Sequence, residues 1–429
     1  MSIYVSINGI IDLKILYLGE DKMTLYKEFC ELNTKYYLDN KDIEKDFSLS
    51  KEQINHFFDM AEKRSVVEDF NNMDEMRSHH SMSLLYLGVL INSKLNLNMK
   101  IRIANESFDF NYFWSILCFY HDLGYEAENH NSFHFKMNQK NGNNFRYSFF
   151  TSDICKDFSL TFKYPQFFNK SIIFLAKFKS PFLVSPHNRF NTNFIKLEEK
   201  DFEEIDKIDN IKIMFNNNLI EIRRSFFSEK EVSSYYKFRL AEFGVFDHGI
   251  VGGYIFFDSI MKCYFKSYKA RDDADDSQLS FFKNYKHFCV EQIPMFAYIA
   301  DCIVSHNIFF SSNETKELYE EYSLLSLDKK KRISLRNNPV LFILELLDTI
   351  DPIKFFSKPG YGYEVIEILK SFNWKFENEK VIIISLSEIN IFSIFEYENY
   401  VNHINSIETW LDVSIIRNKN AIKIIINGK

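Results

Sequence analysis

Glycine and proline are scarce in this sequence: 12 Gly and 7 Pro among 429 residues, against usual shares of about 7% and 5%. That excludes flexible Gly/Ser linkers, proline-rich spacers, collagen-like repeats and low-complexity disorder. Six cysteines, at positions 30, 118, 155, 263, 289 and 302, form no CxxC pair. Reduced, buried thiols are therefore expected rather than zinc knuckles or a disulfide frame. Basic charge is not in excess either, since 52 Lys+Arg stand against 59 Asp+Glu, a net charge of −7. The footprint of a nucleic-acid coat or membrane-surface protein is missing, which argues against nucleic acid as a partner. No run approaches 18 uncharged apolar residues, and the opening MSIYVSINGIIDLKILYLGEDK lacks a basic n-region and a small-residue cleavage site. The expectation is a cytoplasmic protein with no membrane partner.

What is abundant is aromatic: 46 Phe and 24 Tyr, within a hydrophobic fraction of 46% and a charged fraction of 26%. This is a globular balance with an aromatic core, and at this length two to three domains or one core with large insertions are expected. The few glycines are unevenly placed, because Gly244, Gly249, Gly252 and Gly253 fall together in GVFDHGIVGG. A chain so sparing of glycine needs its backbone close to something there.

Periodicity organises the chain. His80, Leu84, Leu87 and Ile91 fall on one face of a helix, so an imidazole shares the stripe of the core residues. A second apolar helix, Phe110 to Tyr120, ends in His121-Asp122-Leu123-Gly124, where Gly124 is a C-terminal stop. From about 126 to 235 the sequence is rich in Asn, Phe and Lys with no sustained helical period, and reads as an insertion with some strand content. Helical character returns at Glu231 to Glu242, and after Pro294 a helix carries Ile299, Cys302, Ile303 and His306 on one face. Pro339 to Thr349 forms a further helix, closed by Asp351-Pro352. Short alternation at Ser2 to Ile7, an acidic loop at 272–276 and strand-like runs at 381–387 and 421–428 complete the pattern, with no internal repeat. Arg223-Arg224 and Lys329 to Arg332 read as exposed helix ends or loops, and the remaining insertion histidines, His130, His134 and His187, have no partner pattern.

Taken singly, each histidine is most simply a packed core residue. Taken in chain order, His80, His121-Asp122, His248, His306 and Asp348 form a set of imidazoles and carboxylates on apolar helices or beside glycines, where burial requires partners or ligands. The order and the flanks resemble the HD superfamily of metal-dependent phosphohydrolases. Arg77-Ser78-His79-His80-Ser81 resembles the first motif, with the Arg-x-x-His-Ser spacing favouring His80 over His79. FYHDLGY (119–125) resembles the second, His248-Gly249-Ile250-Val251-Gly252-Gly253 the third, IADCIVSHN (299–307) the fourth, and LLDTIDPIKFF (346–356) the fifth. The resemblance spans about 60–125 and 240–356 and is closest in motif order to dinuclear members such as the HD-type diadenosine tetraphosphate hydrolases.

The resemblance implies a mainly α fold, an HD-domain helical core with a large insertion and a small α/β C-terminal tail. The expected divisions are an N-terminal segment (1–59), a first core segment (60–125), an insertion acting as lid or specificity module (126–238), a second core segment (239–358) and the tail (359–429). It further implies two divalent ions, Fe, Mn or Mg, held by His80, His121, Asp122, His248, His306 and Asp348, with Asp122 as the bridge. Asp122, His121, Lys354 and Arg77 are the expected catalytic groups, and Gly249, Gly252 and Arg239 the expected substrate contacts. The implied activity is hydrolysis of a nucleotide or dinucleotide phosphate by metal-activated water, by a monomer or a homo-oligomer. Two alternatives stand beside it: a dNTP triphosphohydrolase serving nucleotide depletion in defence, although HDLGYEAEN (121–129) departs from the dGTPase elaboration, and a non-catalytic HD-fold nucleotide sensor.

Overall fold

A computed structural model describes residues 75–125, 210–256, 292–310, 316–324, 332–356 and 362–427, apart from 104–105, 123, 216, 244–246, 254–255, 364, 389 and 419. The alternation at Ser2 to Ile7, the acidic loop at 272–276, and His130, His134 and His187 lie outside these residues. So does the greater part of the stretch read as an insertion.

Helix α1 (Glu75–Lys94) buries the stripe His80, Leu84, Leu87 and Ile91. Strands β1 (Lys100–Ile103) and β2 (Glu106–Asp109) follow as a hairpin and lead directly into α2 (Phe110–Tyr120). The two helices lie close because Gly88 has no side chain: a Cβ there would come within 2.0 Å of the Trp114 indole. That indole donates its N–H to the Leu84 carbonyl at 3.1 Å. Strands β3 (Asn210–Phe215) and β4 (Asn218–Arg223) complete an antiparallel sheet in the order β2-β1-β3-β4. Ile101 opposes Ile213 and Ile213 opposes Ile220, so the period-two alternation of β3 delivers Ile211, Ile213 and Phe215 to the core. The end of the 126–238 stretch is thus hydrogen-bonded to strand β1, which comes from 60–125.

Helix α3 (Glu229–Phe238) starts on a Ser228/Glu231 capping box and runs into a π-helical turn, Arg239–Phe243. A helical segment opens at His248. Next come α4 (Gln292–Ser305), α5 (Lys316–Glu321), α6 (Pro339–Ile350) and α7 (Pro352–Phe356). Helix α6 is capped by Asn338, whose side chain accepts from the Leu341 N–H, and all twelve of its residues are buried. Helix α1 packs on α2, α6 and α7, and α4 packs on α2 and α6. The last unit is α8 (Val365–Lys370), β5 (Phe372–Glu377), β6 (Val381–Leu386), α9 (Ile394–Asn405), β7 (Val413–Asn418) and β8 (Ala421–Ile426). Its strands form an antiparallel sheet in the order β5-β6-β8-β7.

The expectation of a mainly α protein is overturned. The described residues are about 51% helical and 24% strand, with two four-stranded antiparallel sheets. The first sheet escapes a sequence reading because its strands are four to six residues long and β1 and β3 lie over a hundred residues apart. Arg224 also departs from its exposed reading: it is buried and pairs with Asp301 of α4 at 2.9 Å, while Arg223 is exposed. Among the described residues no helix is long and apolar enough to cross a membrane.

Candidate metal centre

Separate segments bring their polar side chains to one buried point. His80 comes from the second turn of α1, His121-Asp122 from the turn that ends α2, His248 from the start of its helical segment, His306 from the turn that follows α4, and Asp348 from the last turn of α6. All six are buried. His80, His121 and Asp122 offer ligand atoms within 4.8 Å of one another, as do Asp122, His248 and His306, so Asp122 belongs to both groups. Asp348 joins the first group, its Oδ1 lying 3.0 Å from His80 Nε2 and 3.7 Å from His121 Nε2.

The ring orientations follow from the outer nitrogens. His121 Nδ1 donates to the Cys118 carbonyl at 2.8 Å, and His306 Nδ1 donates to the Ile303 carbonyl at 2.6 Å. A carbonyl only accepts, so in both rings the proton sits on Nδ1 and the Nε2 lone pair faces the cluster. His80 Nδ1 donates to Asp351 Oδ2 at 2.6 Å, and Asp351 in turn accepts from Ser83 Oγ at 2.9 Å. Imidazoles anchored in this way by a carboxylate or carbonyl are the usual arrangement for metal-binding histidines.

Electrostatics point the same way. His121 Nε2 and His80 Nε2 approach to 3.3 Å, and neither Asp122 Oδ1 nor His306 Nε2 has a hydrogen bond among the described residues although both are buried. Such a concentration of buried ligand atoms could hold a metal ion. Burial opposes ionisation of Asp122, yet the positive charges of Lys354 and His80 help hold its carboxyl well below the usual range. Asp348 is likewise held low against burial, by Lys354 and by the hydrogen bond and charge of His80. Burial and the neighbouring His248 push His306 down to about 3, so it stands neutral and able to ligate. A set of imidazole nitrogens and carboxylate oxygens without thiolate suits Fe(II), Mn(II) or Mg(II).

Comparison with protein-family models, with curated proteins and with solved structures gave no match.

The other expected site residues divide. Lys354, half-buried on α7, forms an ion pair with Asp348 and so stands at the centre. Arg239, expected to touch substrate, makes contacts with protein. It lies 3.3 Å from Asp247 Oδ2 and 5.1 Å over the Phe243 ring. Gly249 and Gly252, also expected at substrate, face protein. A Cβ on Gly249 would meet the Ile303 carbonyl at 3.0 Å and the His306 ring at 3.1 Å, and one on Gly252 would meet the Gly124 nitrogen at 2.9 Å. The side chain of Arg77 lies outside the described residues.

Three contributors escaped the sequence reading. Asp351 anchors His80. Asp247, fully buried, accepts from the Ile250 N–H at 3.0 Å and from Asn307 Nδ2 at 2.6 Å, tying the neighbours of His248 and His306 together. Tyr125 stacks on His248. Asp351 and Asp247 each sit next to, or three residues from, a candidate ligand. That proximity was the one available signal.

Proposed function

We propose that the protein is an HD-type metal-dependent phosphohydrolase that cleaves a nucleotide or dinucleotide phosphate with metal-activated water. The observation that carries this reading is the convergence of four imidazoles and two carboxylates in one buried cluster, with Asp122 common to both triads. His80, His121, Asp122 and Asp348 would hold one divalent ion, and Asp122, His248 and His306 a second. Two such ions supply Lewis acidity toward a phosphoryl oxygen and lower the pKa of water, so that hydroxide is available near neutral pH.

The chain's own groups have distinct tasks. Asp122 and Asp348 are held ionised and so carry the negative charge that retains cations. His121 and His306 keep their lone pairs inward through Nδ1 bonds to backbone carbonyls, with no rotation needed during turnover. Lys354 places an ammonium beside Asp348 on a partly exposed face, positioned for the charge that develops on a transferred phosphoryl group. A cytoplasmic setting is part of the reading and agrees with the free buried thiols of Cys118 and Cys302.

The test is elemental analysis of purified protein together with turnover of a nucleotide panel that includes dNTPs and diadenosine polyphosphates. Two ions per chain and release of phosphate or nucleotide are expected, both lost in Asp122→Ala. Native protein that is free of metal and binds nucleotide without turning it over would reject the enzyme in favour of a sensor.

A further inference from the structure

Among the described residues, His248 differs from the other three histidines of the cluster in what lies on its ring. The phenol ring of Tyr125 lies flat against the imidazole, with centroids 3.8 Å apart and planes 12° apart. The ring contacts among the histidines themselves are edge-on, at 5.1 to 5.5 Å. The stack is built by the same turn that supplies His121 and Asp122. Tyr125 N–H closes that turn on the Asp122 carbonyl at 3.0 Å. Gly124 lets the turn press against the His248 segment, because a Cβ there would come within 1.9 Å of the His248 carbonyl oxygen. Held so, His248 Nε2 points at Asp122 Oδ1 from 3.7 Å, and Asp122 and His306 complete the second triad.

We infer that Tyr125 is a positioning residue for the second ion, fixing the plane of His248 by stacking. The inference rests on the dinuclear reading above. Flat stacking sets the rotation of the imidazole. It also favours the ligated state, because an imidazole bound to a divalent ion takes on cationic character and the electron-rich phenol face attracts it. The ring does this, and the hydroxyl is not required. The stack itself reaches neither His80 nor Asp348, so the effect is expected at the second ion.

Titration of Mn(II) into the wild type, Tyr125→Phe and Tyr125→Leu tests the inference, with free Mn(II) followed by electron paramagnetic resonance and folding checked by circular dichroism. The Leu variant is expected to bind the first ion as the wild type does and the second about tenfold more weakly, the lower end of the effect of losing a group that orients a metal-binding histidine. The Phe variant is expected to match the wild type at both. Equal weakening of both ions in the Leu variant, unchanged binding of both, or a Phe variant as weak as the Leu variant would each overturn it. If the Leu variant does not fold, Tyr125→Met supplies the same comparison. Wild-type protein that takes up fewer than two ions overturns the dinuclear reading as well, whereas two ions in the wild type with an unchanged Leu variant overturns this inference alone.

Discussion

A histidine becomes a directed ligand only when its second nitrogen is held, and at the residue scale that holding shapes the centre. His80 is the clearest case. Burial opposes its protonation, but hydrogen bonds to Asp348 and Asp351 and the charge on both raise it to about 9. The unfolded value is about 6.5. This contribution to stability is therefore complete below about pH 6.5 and lost as the pH rises through about 9. A divalent ion at Nε2 requires the proton to leave. Ion affinity should accordingly rise between pH 7 and 9, with proton release on binding at pH 7, measurable by calorimetry in buffers of different ionisation enthalpy. Asp351→Asn removes the anionic acceptor on Nδ1 and should weaken the first ion by about tenfold or more, read from the same titrations. A Tyr125-like effect confined to the second ion would contradict that assignment. His80 was legible in the sequence from its apolar stripe. Asp351 was legible only as half of a helix stop, because its function depends on Ser83 and His80 arriving from α1.

At the scale of elements, close backbone approach sets the distance between the triads. The turn after α2, the segment opening at His248 and the end of α4 meet through Gly124, Gly249, Gly252 and Gly253. A Cβ on Gly253 would come within 2.5 Å of Val304 and 2.8 Å of the Ala300 carbonyl. The glycine cluster was visible in the sequence, and closeness of backbone to something was the right expectation there. What it approaches is protein, which only the packing of three separate segments decides. Gly124→Ala puts a methyl group on the His248 carbonyl, which cannot yield as a flexible side chain would. It should cost at least about 1–3 kcal/mol, measured as a fall in the urea midpoint, and should weaken the second ion as His248 is driven from Asp122. Helix α6 is the opposite case: Asn338-Pro339 at its start and Asp351-Pro352 at its end mark both boundaries locally, and its twelve residues follow. The first sheet had no such local mark, since β3 and β4 are ordinary short apolar runs until β1 pairs with β3.

Across the whole molecule, the C-terminal unit is fastened to the elements that carry Asp348 and Lys354. Tyr400 of α9 donates its hydroxyl to the Ile350 carbonyl at the end of α6 and packs on Phe355 and Phe356 of α7, at 5.3 and 5.4 Å. Phe356 also stacks on Phe392 at 3.9 Å, and Ile333 exchanges backbone hydrogen bonds with Trp410 and Asp412, both at 2.8 Å. Tyr400→Phe should lower stability by about 1 kcal/mol through the lost buried hydrogen bond, and Tyr400→Ala by about 3–5 kcal/mol through the cavity. Both are read from denaturant midpoints. The Phe variant should keep both ions, because it retains the packing under α7.

Sequence by itself determined five of the helical segments, the stop at Asp351-Pro352, the chain order of the candidate ligands and the two C-terminal strand runs that became β6 and β8. Each of these is written in local periodicity or in residue types a few positions apart. Tertiary structure decided the balance of helix and sheet, the place of Asp122 in both triads, the contacts of Asp351, Asp247 and Tyr125 with the candidate ligands, and the protein contacts of Arg239, Gly249 and Gly252. Those outcomes depend on groups from distant segments meeting at hydrogen-bond or van der Waals distance, and no local pattern records which groups will meet.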